Sequence, residues 1–125
     1  MNLLDKIVKL ENEATGFGFQ WETTAQIMEQ IKSECIEVEE HLNSNPAENQ
    51  AALQEELGDL LHAVFSLCVF CKLDPEETLT KTCNKFELRL NEVKLIAEEK
   101  KLANLNGMPF KDLMDIWEEA KSRLK

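Results

Sequence analysis

A glutamate stands where the chain's own periodicity calls for a core residue. Ile27, Ile31, Val38 and Leu42 recur at helical spacing, and Glu34 falls on the same stripe between Ile31 and Val38. Glu37 follows three residues later. After a break at Asn43–Pro46 a second helical stretch repeats the pattern, with Glu56 and Asp59 in a row otherwise made of Ala52, Ala63, Ser66 and Phe70. Residues three apart on a helix share a face, with Cβ atoms about 5–6 Å apart. If the chain folds back at the break, two antiparallel helices bring four carboxylates face to face. Half-buried carboxylates are costly unless something pairs with them. A hard divalent cation with all-oxygen ligation, such as Mg²⁺, answers that need. The stretch from Glu34 to Asp59 therefore demands two helices and demands that they pack together.

The remaining segments read as helices too. Residues 3–14 form a first helix with Leu3, Leu4, Ile7, Val8 and Leu10 as its stripe, and Thr15–Gln20 reads as a loop with two glycines. The helix carrying Glu34 spans 22–43. The next spans 46–72 and opens on Asn45 as cap, Pro46 at the first position and Glu48 three after the cap. It carries a seam of Leu53, Leu57, Leu60, Val64, Leu67 and Cys71. Asp74, Pro75 and Glu77 repeat the start signal for a helix over 75–102. A last helix over 110–123 turns Leu113, Ile116, Trp117 and Ala120 inward. No strand pattern or repeat occurs. The class is all-α, a single domain over residues 1–125 in a four-helix-bundle-like arrangement.

Composition narrows the function. With 24 acidic and 14 basic residues in 125, the net charge is −10, which argues against nucleic acid and anionic membrane surfaces as partners. No apolar run approaches the ~20 residues of a membrane span, and the charged, amphipathic first residues are no signal peptide. Four cysteines in such a chain read as reduced thiols in a cytoplasm. Cys68-x-x-Cys71 lies inside an apolar run with no second pair at zinc spacing, so both read as small buried hydrophobes. A di-iron carboxylate site needs Glu-x-x-His on two helices. Asp59-x-x-His62 is the sole approximation, and His62 reads as an ordinary helix-face histidine.

GFQW, SECIEVEE, EELGDLL, LDPEETLTKTCNKFELRL and DLMDIWEEAK occur in that order. From about Gly16 to Lys121 the chain resembles the MazG nucleotide pyrophosphohydrolases, whose E-x-x-E … E-x-x-D signature falls on Glu34, Glu37, Glu56 and Asp59. The same all-α superfamily holds dimeric dUTPases, dCTP pyrophosphatases and phosphoribosyl-ATP pyrophosphohydrolase.

The resemblance implies Mg²⁺-dependent cleavage of a nucleoside triphosphate between its α and β phosphates, with Mn²⁺ as a substitute cation. The four acids would be both metal ligands and catalytic groups, with Glu37 a candidate to take the proton of the attacking water. Lys85 and Arg89 match the family's basic phosphate contacts, with Asn84 beside them as a further substrate-binding candidate. Trp117 matches the tryptophan of its last helix. Trp21 matches its early tryptophan, in a position to close the core or line the base pocket. Leu88 and Leu90 take places where the family has an Arg-Arg-Phe run, Ser66 stands where Asn is usual and Val69 where a basic residue is usual. A metal box that is complete beside a thinned phosphate side leaves a second reading, a non-catalytic helical interaction module. The run Leu60–Phe70 is apolar nearly all round apart from Ser66, and such a helix must be covered on every side. A homodimer or a dimer of dimers is the expected assembly.

Overall fold

The computed structural model describes residues 1–44 and 49–125. Its helices are α1 (Leu3–Phe17), α2 (Thr24–Leu42), α3 (Gln50–Phe70), α4 (Pro75–Glu99) and α5 (Phe110–Arg123), with no strand among the described residues. The class is all-α, as expected. None of the described helices is long and apolar enough to cross a membrane. The expected start signal Asn45–Glu48 lies outside the described residues.

Local chemistry sets the helix ends. Asn2 caps α1 by accepting from the Asp5 N–H at 2.8 Å, and its amide donates to Glu76 at 3.1 Å. Thr23 and Gln26 form a reciprocal capping box at the start of α2. Asp74 Oδ2 accepts from the Glu77 N–H at 3.0 Å, the cap expected for α4. Helix α1 runs into the expected loop as far as Phe17 and stops because Gly18 takes φ 96°. The Phe19 N–H then bonds to the Ala14 carbonyl at 2.9 Å and the Gly18 N–H to Thr15 at 3.0 Å, closing a Schellman turn. Helices α3 and α4 end earlier than expected by the same device without glycine. Lys72 and Lys101 sit at φ 60° and 61°, with Leu73 bonding back to Cys68 and Leu102 to Ala97.

The chain divides into two compact units, Met1–Thr78 and Leu79–Lys125. In the first, α3 packs against both α1 and α2. The small-residue row of α3 does this packing: Ala63 and Ser66 are buried, together with Ile27 and Val38 of α2. The leucine seam expected to be core is less covered, with Leu57, Val64 and Cys71 exposed. Small side chains let helix backbones approach closely, and the bulkier seam is covered only in part, at Leu53, Leu60 and Leu67. On α1 the covered stripe is Leu4, Ile7, Val8, Glu11 and Ala14, whereas Leu3 and Leu10 are exposed. Leu42 is likewise exposed. Cys68 is half-buried, and all four cysteines are free thiols.

In the second unit Ile96, Ile116 and Ala120 form a core completed by Val93, Leu105 and Met108. Arg123 ties the end of α5 to α4 through Glu99 at 2.6 Å, with Glu92 and Glu119 nearby.

Candidate active site

Glu34 is placed by the periodicity of α2, one turn from the buried Val38, and Glu56 and Asp59 by the inward row of α3. Because α2 and α3 pack side by side, one carboxylate oxygen from each of Glu34, Glu56 and Asp59 lies within 4.8 Å of the others. Glu34 and Glu56 are half-buried, and Asp59 is exposed. Glu37, also exposed, hydrogen-bonds Glu56 and stands outside the group of three.

Two electrical facts mark the cluster. Gln30 Nε2 donates to Glu34 Oε1 at 2.7 Å, while Glu34 Oε2 is buried with no hydrogen-bond partner among the described residues. An unpartnered buried oxygen forfeits its hydration without compensation. The Glu56 carboxyl is raised above its ordinary value, first by loss of solvent, then by the charge of Glu37 and a hydrogen bond with it, then by Glu34 and Asp59. Anionic oxygens that converge, repel and include one without a donor are a donor set suited to a hard divalent cation.

The other expected substrate residues fall into two groups. Trp21 is half-buried and lines a cavity of about 690 Å³ in the first unit, between α1 and α3. Asn84, Lys85, Arg89 and Trp117 belong to the second unit. Asn84 and Lys85 are exposed on α4. Trp117 packs against Phe86, with ring centroids 6.0 Å apart, and against the Arg89 guanidinium, 5.7 Å from its ring. Arg89 is therefore half-covered, not a free surface cation.

Sequence reasoning missed Gln30 and Glu11. Gln30 sits four residues before Glu34, a spacing at which Gln and an acid meet on a helix face. Glu11 falls on the covered stripe of α1, the same signal that singled out Glu34. It accepts from His62 and Ser66, so His62 is tied into the cavity wall through it.

A model of the MazG nucleotide pyrophosphohydrolase domain matches residues 22–94. The chain belongs to the MazG family. The matched span contains Glu34, Glu37, Glu56, Asp59, Asn84, Lys85 and Arg89; Trp21 and Trp117 lie outside it. The nucleoside triphosphate pyrophosphohydrolase/pyrophosphatase MazG of Thermotoga maritima is 32% identical over 113 residues, 90% of this chain and 42% of that protein. The nucleoside triphosphate pyrophosphohydrolase of Escherichia coli K12 is 29% identical over the same coverage of each chain, 90% and 42%. The uncharacterized protein YabN of Bacillus subtilis is 36% identical over 75 residues, 60% of this chain and 15% of its own length. The chain thus spans less than half the length of the curated relatives it matches.

Proposed function

We propose that the protein is a divalent-metal-dependent nucleoside triphosphate pyrophosphohydrolase, releasing a nucleoside monophosphate and pyrophosphate. The observation that carries this reading is the buried Glu34 Oε2, without a donor among the described residues, within a group of three converging carboxylates in a chain of the MazG family. The relatives named for this activity support it.

Glu34, Glu56 and Asp59 would hold the cation, Mg²⁺ or in its place Mn²⁺. When bound, the cation supplies neutralising charge for the phosphates and makes a neighbouring water more acidic. Gln30 fixes the Glu34 carboxylate through Oε1 and so aims Oε2 at the cluster. Glu37, exposed and outside the group of three, keeps oxygen lone pairs to accept the proton of the attacking water. Lys85 and Arg89, with Asn84, would bind the phosphate oxygens, Arg89 as a planar fork. Trp117 keeps Arg89 in place by covering its guanidinium.

Residues 1–125 are read as one domain, and the family match at residues 22–94, which includes parts of both compact units, supports that reading. Two copies or more assemble. Leu57, Leu61 and Val64 on α3 are 43%, 58% and 40% exposed, an apolar stripe at helical spacing that a second copy would cover. Four free thiols fit a reducing compartment, the cytoplasm. The net charge of −10 leaves nucleic acid and membrane surfaces as poor partners.

A helical interaction module is the rival reading, and Leu88 and Leu90, both exposed on α4 where the family has an Arg-Arg-Phe run, favour it. It offers no use for a buried oxygen without a donor, which only destabilises a fold that binds nothing there. Pyrophosphate release from a panel of nucleoside triphosphates with Mg²⁺ decides between them. Turnover that EDTA stops is expected. A silent panel, with Mg²⁺ and Mn²⁺ both tried, would leave the module.

A further inference from the structure

The cavity between α1 and α3 contains a polar group for which the acid cluster has no use. Glu11 on α1 is largely covered, with its side chain 17% exposed. Ser66 Oγ donates to Glu11 Oε1 at 2.6 Å, and His62 Nε2 donates to the same oxygen at 2.8 Å. Ser66 is itself only 3% exposed. Two donors thus fix the carboxylate, and among the described residues neither reaches Oε2. Trp21, Phe19 and Val69 give the same cavity its apolar walls. Its volume of about 690 Å³ falls within the usual ~300–1,000 Å³ of small-molecule sites, where a few fixed polar groups set orientation.

Helix α3 links this cavity to the acids. Asp59 belongs to the cluster and Ser66 to the cavity wall. Seven residues of α-helix separate them, two turns and roughly 10 Å. A nucleotide with its phosphates at the acids reaches about that far with its base.

We propose that this cavity takes the nucleobase and that Glu11 is its specificity-determining residue. It would select bases that present adjacent N–H donors, guanine above all, over uracil and thymine. This assignment rests on the reading that the acid cluster acts on a nucleotide. An ionised carboxylate only accepts hydrogen bonds. Guanine offers N1–H beside its exocyclic amino group. Uracil and thymine offer one N3–H between two carbonyl oxygens, which the carboxylate repels. Adenine and cytosine each pair an amino group with a ring acceptor and fall between. Ser66 is a positioning residue: it holds the carboxylate in place.

Calorimetric titration with GMP and UMP, each with Mg²⁺, tests this without turnover. The wild-type protein should bind GMP on the order of 10-fold or more tightly than UMP, the scale at which a site reading hydrogen bonds rejects a mismatched edge. Glu11→Gln presents a donor as well as an acceptor and should bring the ratio near one. Ser66→Ala, which loosens the carboxylate, should lie between. Equal affinities in the wild type, or no binding of either, overturn the assignment, as does a GMP preference that survives in a folded Glu11→Gln. The wild-type comparison stands even if the variant fails to fold. Pyrophosphate assays with GTP and UTP separate the two readings. Equal kcat/KM for both substrates sinks the specificity assignment alone. Hydrolysis of neither, with the GMP preference intact, sinks the catalytic reading alone.

Discussion

Gln30 Nε2 meets Glu34 Oε1 at 2.7 Å, while Glu34 Oε2 is buried without a donor among the described residues. One helical turn of α2 thus orients a carboxylate and exposes its charge to two others. The pair makes a site that is disfavoured when no cation offsets the repulsion.

Metal should stabilise the fold through Glu34. After EDTA treatment, added Mg²⁺ or Mn²⁺ should raise the wild-type Tm by mass action, roughly 2.7 kcal/mol at a hundred times Kd. Glu34→Gln removes one converging charge, so its metal-free Tm should equal or exceed that of the wild type, and the metal-induced rise should shrink. Thermal scans with and without excess cation check both arms. A wild-type Tm indifferent to either cation would remove the metal from the cluster.

Acidity should act on the metal-free protein through Glu56. Its folded carboxyl is raised above the ordinary 4.5, by burial first and then by Glu37, Glu34 and Asp59. The folded state therefore holds a proton at pH values where the unfolded chain has lost it, and stability falls as pH rises through the folded value. In EDTA, the wild type should gain Tm relative to Glu56→Gln as pH drops from neutral towards 4.5, the ordinary value below which the gain is complete. The Glu99 carboxyl, lowered chiefly by its hydrogen bond with Arg123, works in the opposite sense and below 4.5, so the windows separate. Parallel Tm–pH curves for the two proteins would refute the assignment.

Lys85 and Arg89 should part company on mutation. Lys85 is exposed, so Lys85→Ala should weaken substrate binding and barely move Tm. Arg89 lies over Trp117 at 5.7 Å, a contact worth about 0.5–1 kcal/mol at an exposed site. Arg89→Ala should lose a few degrees of Tm as well as raising KM. The combination of Tm scans and steady-state kinetics reads both. Unchanged KM in both variants would move the phosphate contacts elsewhere.

The helices and the acid cluster were legible in the sequence because both are written in local spacing. Glu34 on an apolar stripe and Glu56 with Asp59 on a small-residue row needed no tertiary information. The ends of α3 and α4 were not legible: Lys72 and Lys101 take left-handed backbone that sequence assigns to glycine or asparagine. Nor was the choice between the two rows of α3. Hydrophobicity favoured Leu57 and Val64, which are exposed, but close helix approach buried Ala63 and Ser66. Glu11 carried the same stripe signal as Glu34. It lacked a nearby acid to draw attention, and its partners His62 and Ser66 lie more than fifty residues away in the chain.

Assembly should depend on the face of α3 that packing left uncovered. Leu57, Leu61 and Val64 lie at i, i+4 and i+7, one stripe of a helix, and all three are exposed. An apolar row of this kind, on a helix that is apolar nearly all round, is stabilised by a second copy. Two-fold packing would bury the row against itself. Leu61→Glu tests this best, because Leu61 is the most exposed of the three at 58% and its loss removes little from the subunit's own core. Two like charges set against each other across a symmetry axis should weaken association strongly, while far-ultraviolet circular dichroism keeps its helical signal. Phe65 and Val69 are poorer probes: Phe65 is half-buried and Val69 lines the cavity, so a charge at either would perturb the subunit itself. Light scattering at micromolar concentration should give a wild-type mass of at least two chains and a Leu61→Glu mass approaching one. A wild-type mass of one chain, or a Leu61→Glu protein that stays fully assembled, would place the interface elsewhere or dispense with it.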